Sequence, residues 1–231
     1  MSAASSTPVK PDPQAPLIPL LLVLTFITGL IDAVSYLLLG HVFVANMTGN
    51  VVLLGFAIAG VKDFSVAASL TALAVFALGA AIGGRLGLRD AEHRGRFLLT
   101  SLIIEGACLA AASVPWLLGH SAEEATVRYT LIVLMGMAMG VQTAVVRRLA
   151  VADLTTTVLT MTLAGLAADS SLAGGSNPRL GRRIGAIVVM LIGAAVGAML
   201  ALHGNPGHVL LVALVMIAVG AAIAWRGHAM P

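Results

Sequence analysis

Eight apolar runs follow one another along this chain, at 17–39, 43–60, 65–84, 97–118, 127–146, 150–168, 184–202 and 207–225. The charged residues fall almost entirely in the short gaps between them. A helix needs about 20 predominantly apolar residues, within a range of about 17 to 25, to cross a bilayer. The first run carries one charge, Asp32, in its 23 residues. A soluble helix of that length would show a polar face. With 59% hydrophobic residues, 10% charged residues and a mean hydropathy of +1.01, the chain predicts an all-α polytopic membrane bundle. Its 25 glycines and many alanines suit helices that approach closely in lipid.

Two runs are weaker than the rest. Run 43–60 opens on Asn46, Thr48 and Asn50, and run 150–168 on Asp153 and Thr155 to Thr157. They also resemble each other. Val44-Ala45-Asn46-Met47-Thr48-Gly49-Asn50-Val51 aligns with Val151-Ala152-Asp153-Leu154-Thr155-Thr156-Thr157-Val158 at an offset of 107 residues. That register sets Gly29 on Gly136 and 97–118 roughly on 204–225. The order strong, weak, strong, strong then occurs twice, in half-repeats 17–118 and 127–225. Such internal repeats are common in transporters.

Charge separates two topologies. If all eight runs cross, Lys and Arg divide seven against six between the two sides, which gives no orientation. If the weak runs enter and leave on one side, the division becomes eleven to two, with only Lys62 and Arg128 opposite. The positive-inside rule favours the second arrangement. It predicts six full spans plus two short broken or re-entrant segments, both termini cytoplasmic, and halves inverted relative to each other.

Residues 1–16 are rich in Ser, Pro and Ala and read as a disordered tail, with 17–226 as one transmembrane domain and 227–231 as a C-terminal tail. The first run is too long and too poorly flanked by basic residues for a cleaved signal peptide. Cys108 is the only cysteine, so no internal disulfide is expected. The six histidines form no ligand-spaced pair, and no cofactor motif occurs; the sequence assigns no metal. A net charge of +3, set in short loops, argues orientation and not nucleic-acid binding. No nucleophile elbow or phosphate loop supports an enzyme.

The stretches Gly29-Leu30-Ile31-Asp32-Ala33-Val34-Ser35 and Phe43-Val44-Ala45-Asn46-Met47-Thr48-Gly49-Asn50-Val51 resemble the YoaK family, bacterial membrane proteins with the domain of unknown function 1275. The resemblance covers about residues 20 to 225. It implies a bacterial inner-membrane protein with about six spans, and it implies no particular activity.

Polar groups inside spans are costly and mark functional sites by default. The candidates for a substrate or pore lining are Asp32, Ser35, Asn46, Thr48, Asn50, Glu105, Gln142, Asp153, Thr155 and Thr156. Asp32 reads either as a proton- or cation-coupling carboxylate or as a structural group pinning the first span to the weak second run. The Asn46–Asn50 and Asp153–Thr157 clusters suit interrupted helices that line a cavity, or simple helix caps. Glu105 and Gln142 read as cavity residues or as interhelical bonds. A channel or transporter for a small solute, ion or proton is the leading expectation. A membrane scaffold, sensor or assembly protein is the alternative. The lipid bilayer is the one partner the composition requires; a homo-oligomer is compatible with it.

Overall fold

In a computed structural model, residues 17–89, 94–149 and 159–228 are described. They form α1 (Ile18–Leu38), α2 (Met47–Ile58), α3 (Val66–Arg89), α4 (Arg94–Leu117), α5 (Ala125–Leu149), α6 (Leu159–Ala168), α7 (Leu180–His203) and α8 (Pro206–His228), with a 3₁₀ turn at Ser171–Ala173. Six of these helices are long and apolar enough to cross a membrane: α1, α3, α4, α5, α7 and α8. At 1.5 Å per residue, α1 is about 31 Å long, the thickness of a hydrocarbon core. By the same rise, α2 and α6, of 12 and 10 residues, reach only about 18 and 15 Å.

The directions of α4 and α8 exclude eight crossings. Trp116, at the end of α4, lies beside Gly207 at the start of α8, and Gly106 lies beside Ile217 at the middle of both. The two helices are therefore antiparallel. In an eight-crossing chain they would be the fourth and eighth spans and would run the same way. With α2 and α6 not crossing, they are the third and sixth and run oppositely, as observed.

The tightest packing occurs between two parallel pairs, α1 with α7 and α3 with α5. A Cβ on Gly193 or Gly197 would strike the carbonyl oxygens of Phe26 and Leu30, and one on Gly29 would strike that of Met190. In the other pair, Gly79 and Gly83 meet the carbonyls of Met137 and Val141, and Gly140 meets that of Phe76. Water supplies no hydrophobic drive between helices in lipid, so this backbone-to-backbone approach is what associates them. The two pairs have matching contacts. Gly29 occupies the environment that Gly140 occupies in the other pair, not the Gly136 that the 107-residue register aligns with it. By these contacts α1 matches α5 at an offset of 111, one turn more than 107, and α3 matches α7 at an offset of 114. A connection after α5 four residues shorter than the one after α1 would reconcile the two registers.

The ends of the bundle carry very different charge. Leu37, Leu38, Trp116, the 119–123 turn and the 204–206 turn border one cavity of about 640 Å³, which places them at a common end. Lys62 and Arg128 belong to elements that start or turn at that end. The other ten described Lys and Arg residues belong to the opposite end, where Arg148 of α5 and Phe97 of α4 meet Gly87 of α3.

Candidate functional site

The connection from α1 to α2 folds back into the protein. Gly40 and His41 turn the chain with φ of 86° and 56°. Val42, Val44 and Ala45 are then buried. A non-helical segment at this depth must have its amides satisfied by protein. Asp32 does this from α1: its Oδ1 accepts the amides of Val44 and Ala45 at 3.0 and 2.8 Å. Asn50, one turn into α2, reaches back to Phe43, accepting from its amide at 2.8 Å and donating to its carbonyl. Asp32 lies six residues before the end of α1, about 9 Å along the axis, so α2 begins deep in the bundle.

From there α2 returns to the end it came from. His41 Nδ1 lies 3.3 Å from the carbonyl oxygen of Asp63, just before α3, and its ring packs edge-on against Phe64. Tyr36 stacks on Phe43 at 4.9 Å between centroids, which holds the entry limb. The segment expected to enter and leave on one side does so, as an extended limb followed by a half-length helix.

The second half-helix comes from the opposite end. Arg183, near the start of α7, is buried; it donates to the carbonyl of Gly165 at 2.6 Å and pairs with Asp169 at 2.8 Å. These contacts fix the C-terminal end of α6, where a cation also suits the helix dipole. The N-terminal end of α6 reaches inward to meet that of α2.

Where the two N-termini meet is a cavity of about 240 Å³. Its wall includes Thr28 and Asp32 of α1, Asn46 and Thr48 at the start of α2, and Thr160 of α6, with Met190 of α7. Asn46 is the N-cap residue of α2, yet its side chain makes no capping bond.

Three sequence candidates thus come together: Asp32, Asn46 and Thr48. Asn50 is buried and held by Phe43. Ser35 donates to the backbone oxygen of Asp32 at 3.1 Å and not to its carboxylate. Gln142 on α5 donates to Thr28 Oγ1 at 2.9 Å, so it touches the cavity wall from behind. Glu105 is buried in α4, which packs on α5 and α8, and its Oε1 has no partner among the described residues. It does not border the cavity. Asp153, Thr155 and Thr156 lie outside the described residues.

Sequence reading passed over Thr28, Thr160 and Arg183. Thr28 had a signal, since it sits one turn before Asp32 on the same helix face. Arg183 was one of several loop arginines, and nothing local distinguished it. Among the described residues, no cluster of three or more His, Cys, Asp or Glu could hold a metal.

The family model described as protein of unknown function, DUF1275, matches residues 20–223. The chain belongs to the DUF1275 family. A relative, the UPF0700 transmembrane protein YoaK of Bacillus subtilis (strain 168), is 41% identical over 153 residues. The match covers 66% of each sequence, so the chain spans just under two thirds of that relative's length. No solved structure matches this DUF1275 chain. The relative is named as a transmembrane protein, in keeping with the six long apolar helices: the chain is a membrane protein.

Proposed function

We propose that this protein provides a passage for a small polar solute, with the cavity between α2 and α6 as its central constriction. One observation carries the reading: two half-length helices, entering from opposite ends, turn their N-termini toward the same polar cavity at mid-depth. Broken helices of this kind are tolerated in membranes where they line a cavity, and they build solute sites in transporters. Asp32 and Asn50 hold the first half-helix, and Arg183 holds the second. Asp153, Thr155 and Thr156 belong to the proposed lining by their match to Asn46 and Thr48.

The two glycine-packed pairs support an inverted duplication of the chain, and the charge difference between the ends supports a cytoplasmic location for both termini in a bacterial inner membrane. The cavity also lies between the pairs. Thr28, Asp32 and Met190 belong to α1 and α7, whereas α2 packs on α3, the partner of α5. Relative movement of the pairs would therefore open or narrow it.

Blocking the cavity tests this reading. Thr48→Trp should abolish solute flux into proteoliposomes while the detergent-purified protein stays monodisperse. Unchanged flux in that folded variant contradicts passage at this point. A scaffold without transport is the other reading. Asp32, whose Oδ1 is engaged by the α1–α2 connection, favours it; the polar cavity does not.

A further inference from the structure

We infer that the solute is a small primary ammonium ion, with its charge seated on Asp32 and its short alkyl body against the apolar side of the cavity. This rests on the passage proposed above and adds its chemical class. Asp32 is only 5% exposed, yet it borders the cavity. Its hydrogen bonds from the amides of Val44 and Ala45 both fall on Oδ1, and the Asn46 amide lies beside the same carboxylate. That leaves Oδ2 as the edge turned to the cavity. A carboxylate buried inside a membrane protein is completed by a positive group.

The chain itself supplies no such group here. The described wall holds no Lys, Arg or His. Residues 150–158, which precede α6, contain none either, and their one charge, on Asp153, has the same sign as Asp32. No side chain of that segment can therefore neutralise Asp32. The N-termini of α2 and α6 bring roughly half a positive charge each, but the limb amides act at Oδ1 and leave Oδ2 for a ligand.

The shape of the wall separates an ammonium ion from a metal ion. A volume of about 240 Å³ far exceeds a bare metal ion and suits a molecule of a few heavy atoms. Val52 and Met190 give the wall an apolar side for an alkyl chain. An ammonium group has three N–H donors. One reaches Asp32 Oδ2, and the others find acceptors in the side-chain oxygens of Asn46, Thr48 and Thr160 on the same wall.

The full chain decides this with propylammonium as the probe and propionate, 1-propanol and K⁺ as comparisons. Calorimetric titration of the detergent-purified protein should show propylammonium binding more tightly than all three, a preference that needs no variant. Asp32→Asn keeps an oxygen for the limb amides and turns an NH₂ toward the ligand. It should weaken propylammonium binding roughly tenfold or more, the worth of a hydrogen bond to a charged group. In proteoliposomes, propylammonium should give an electrical current that Thr48→Trp blocks; amine crossing the lipid uncharged gives none. Propionate, propanol or K⁺ binding as well as propylammonium would overturn the ammonium class. Equal affinity in folded Asp32→Asn would overturn the seat on Asp32. Glycerol or urea flux that Thr48→Trp blocks, without propylammonium binding or current, would overturn the class and leave the passage standing. Propylammonium binding with no current and no neutral flux through folded protein would leave the site standing and remove the passage.

Discussion

Gln142 on α5 donates from Nε2 to Oγ1 of Thr28 on α1 at 2.9 Å, across 114 residues of sequence. The bond joins the two glycine-packed pairs directly behind the cavity wall. Thr28 in turn donates to the carbonyl of Leu24 at 2.9 Å, and the Gln142 carbonyl oxygen is buried without a partner among the described residues. Removing Thr28 and removing Gln142 are therefore unequal changes. Thr28→Val strands both ends of a buried amide and should cost about 1–3 kcal/mol. Gln142→Leu removes the polar group itself and should cost less than about 1 kcal/mol. Denaturation of the two variants in matched micelles measures the difference.

Asp32 offers a sharper comparison. Asp32→Asn keeps an oxygen at Oδ1 for the Val44 and Ala45 amides, so the connection should stay folded. Asp32→Leu leaves two buried amides unsatisfied and should cost about 2–6 kcal/mol, at 1–3 kcal/mol for each. Thermal unfolding should place Asp32→Asn near the parent and Asp32→Leu well below it. Equal loss in both would mean that the negative charge, and not the acceptor, holds the loop.

Asn50 should behave as a brace and not as a solute contact. Asn50→Ala removes an acceptor and a donor from the Phe43 backbone and should lower stability by about 1–3 kcal/mol. Flux per folded molecule should stay close to the parent, because Asn50 does not border the cavity. A selective flux defect in stable Asn50→Ala would move this residue into the lining.

Two positions in α7 test the close packing. A Cβ at Gly193 collides with the Phe26 backbone, and one at Gly185 meets nothing within 4 Å. Gly193→Ala should destabilise by about 1–3 kcal/mol through overpacking. Gly185→Ala should be neutral or mildly stabilising through helix propensity. Unfolding curves of the pair give the comparison.

Hydropathy made the six spans and the two short segments legible, because run length reports membrane depth directly. The balance of Lys and Arg then supported making 43–60 re-entrant, and His41 beside Phe64 bears that out. Asn46, Thr48 and Asp32, which border one cavity, were legible as candidates because each is polar inside an apolar run. Lateral pairing was not legible. The Gly- and Ala-rich faces of α3, α5 and α7 look alike in sequence, and the choice of Gly140 over Gly136 depends on which carbonyls come close. The tasks of Asn50 and Arg183 were hidden for a related reason. Each bonds to backbone atoms, and backbone partners leave no trace in residue identity.

On the proposed passage, water reaches the space between α2 and α6 within the membrane. Thr48→Cys and Thr160→Cys, each in a Cys108→Ala background and reconstituted in liposomes, test it with a small hydrophilic thiol reagent. Both cysteines should be modified, and Val52→Trp, which fills the same cavity, should protect them. Failure of both to react, while a Lys62→Cys control at the end of the bundle is fully modified, would contradict it.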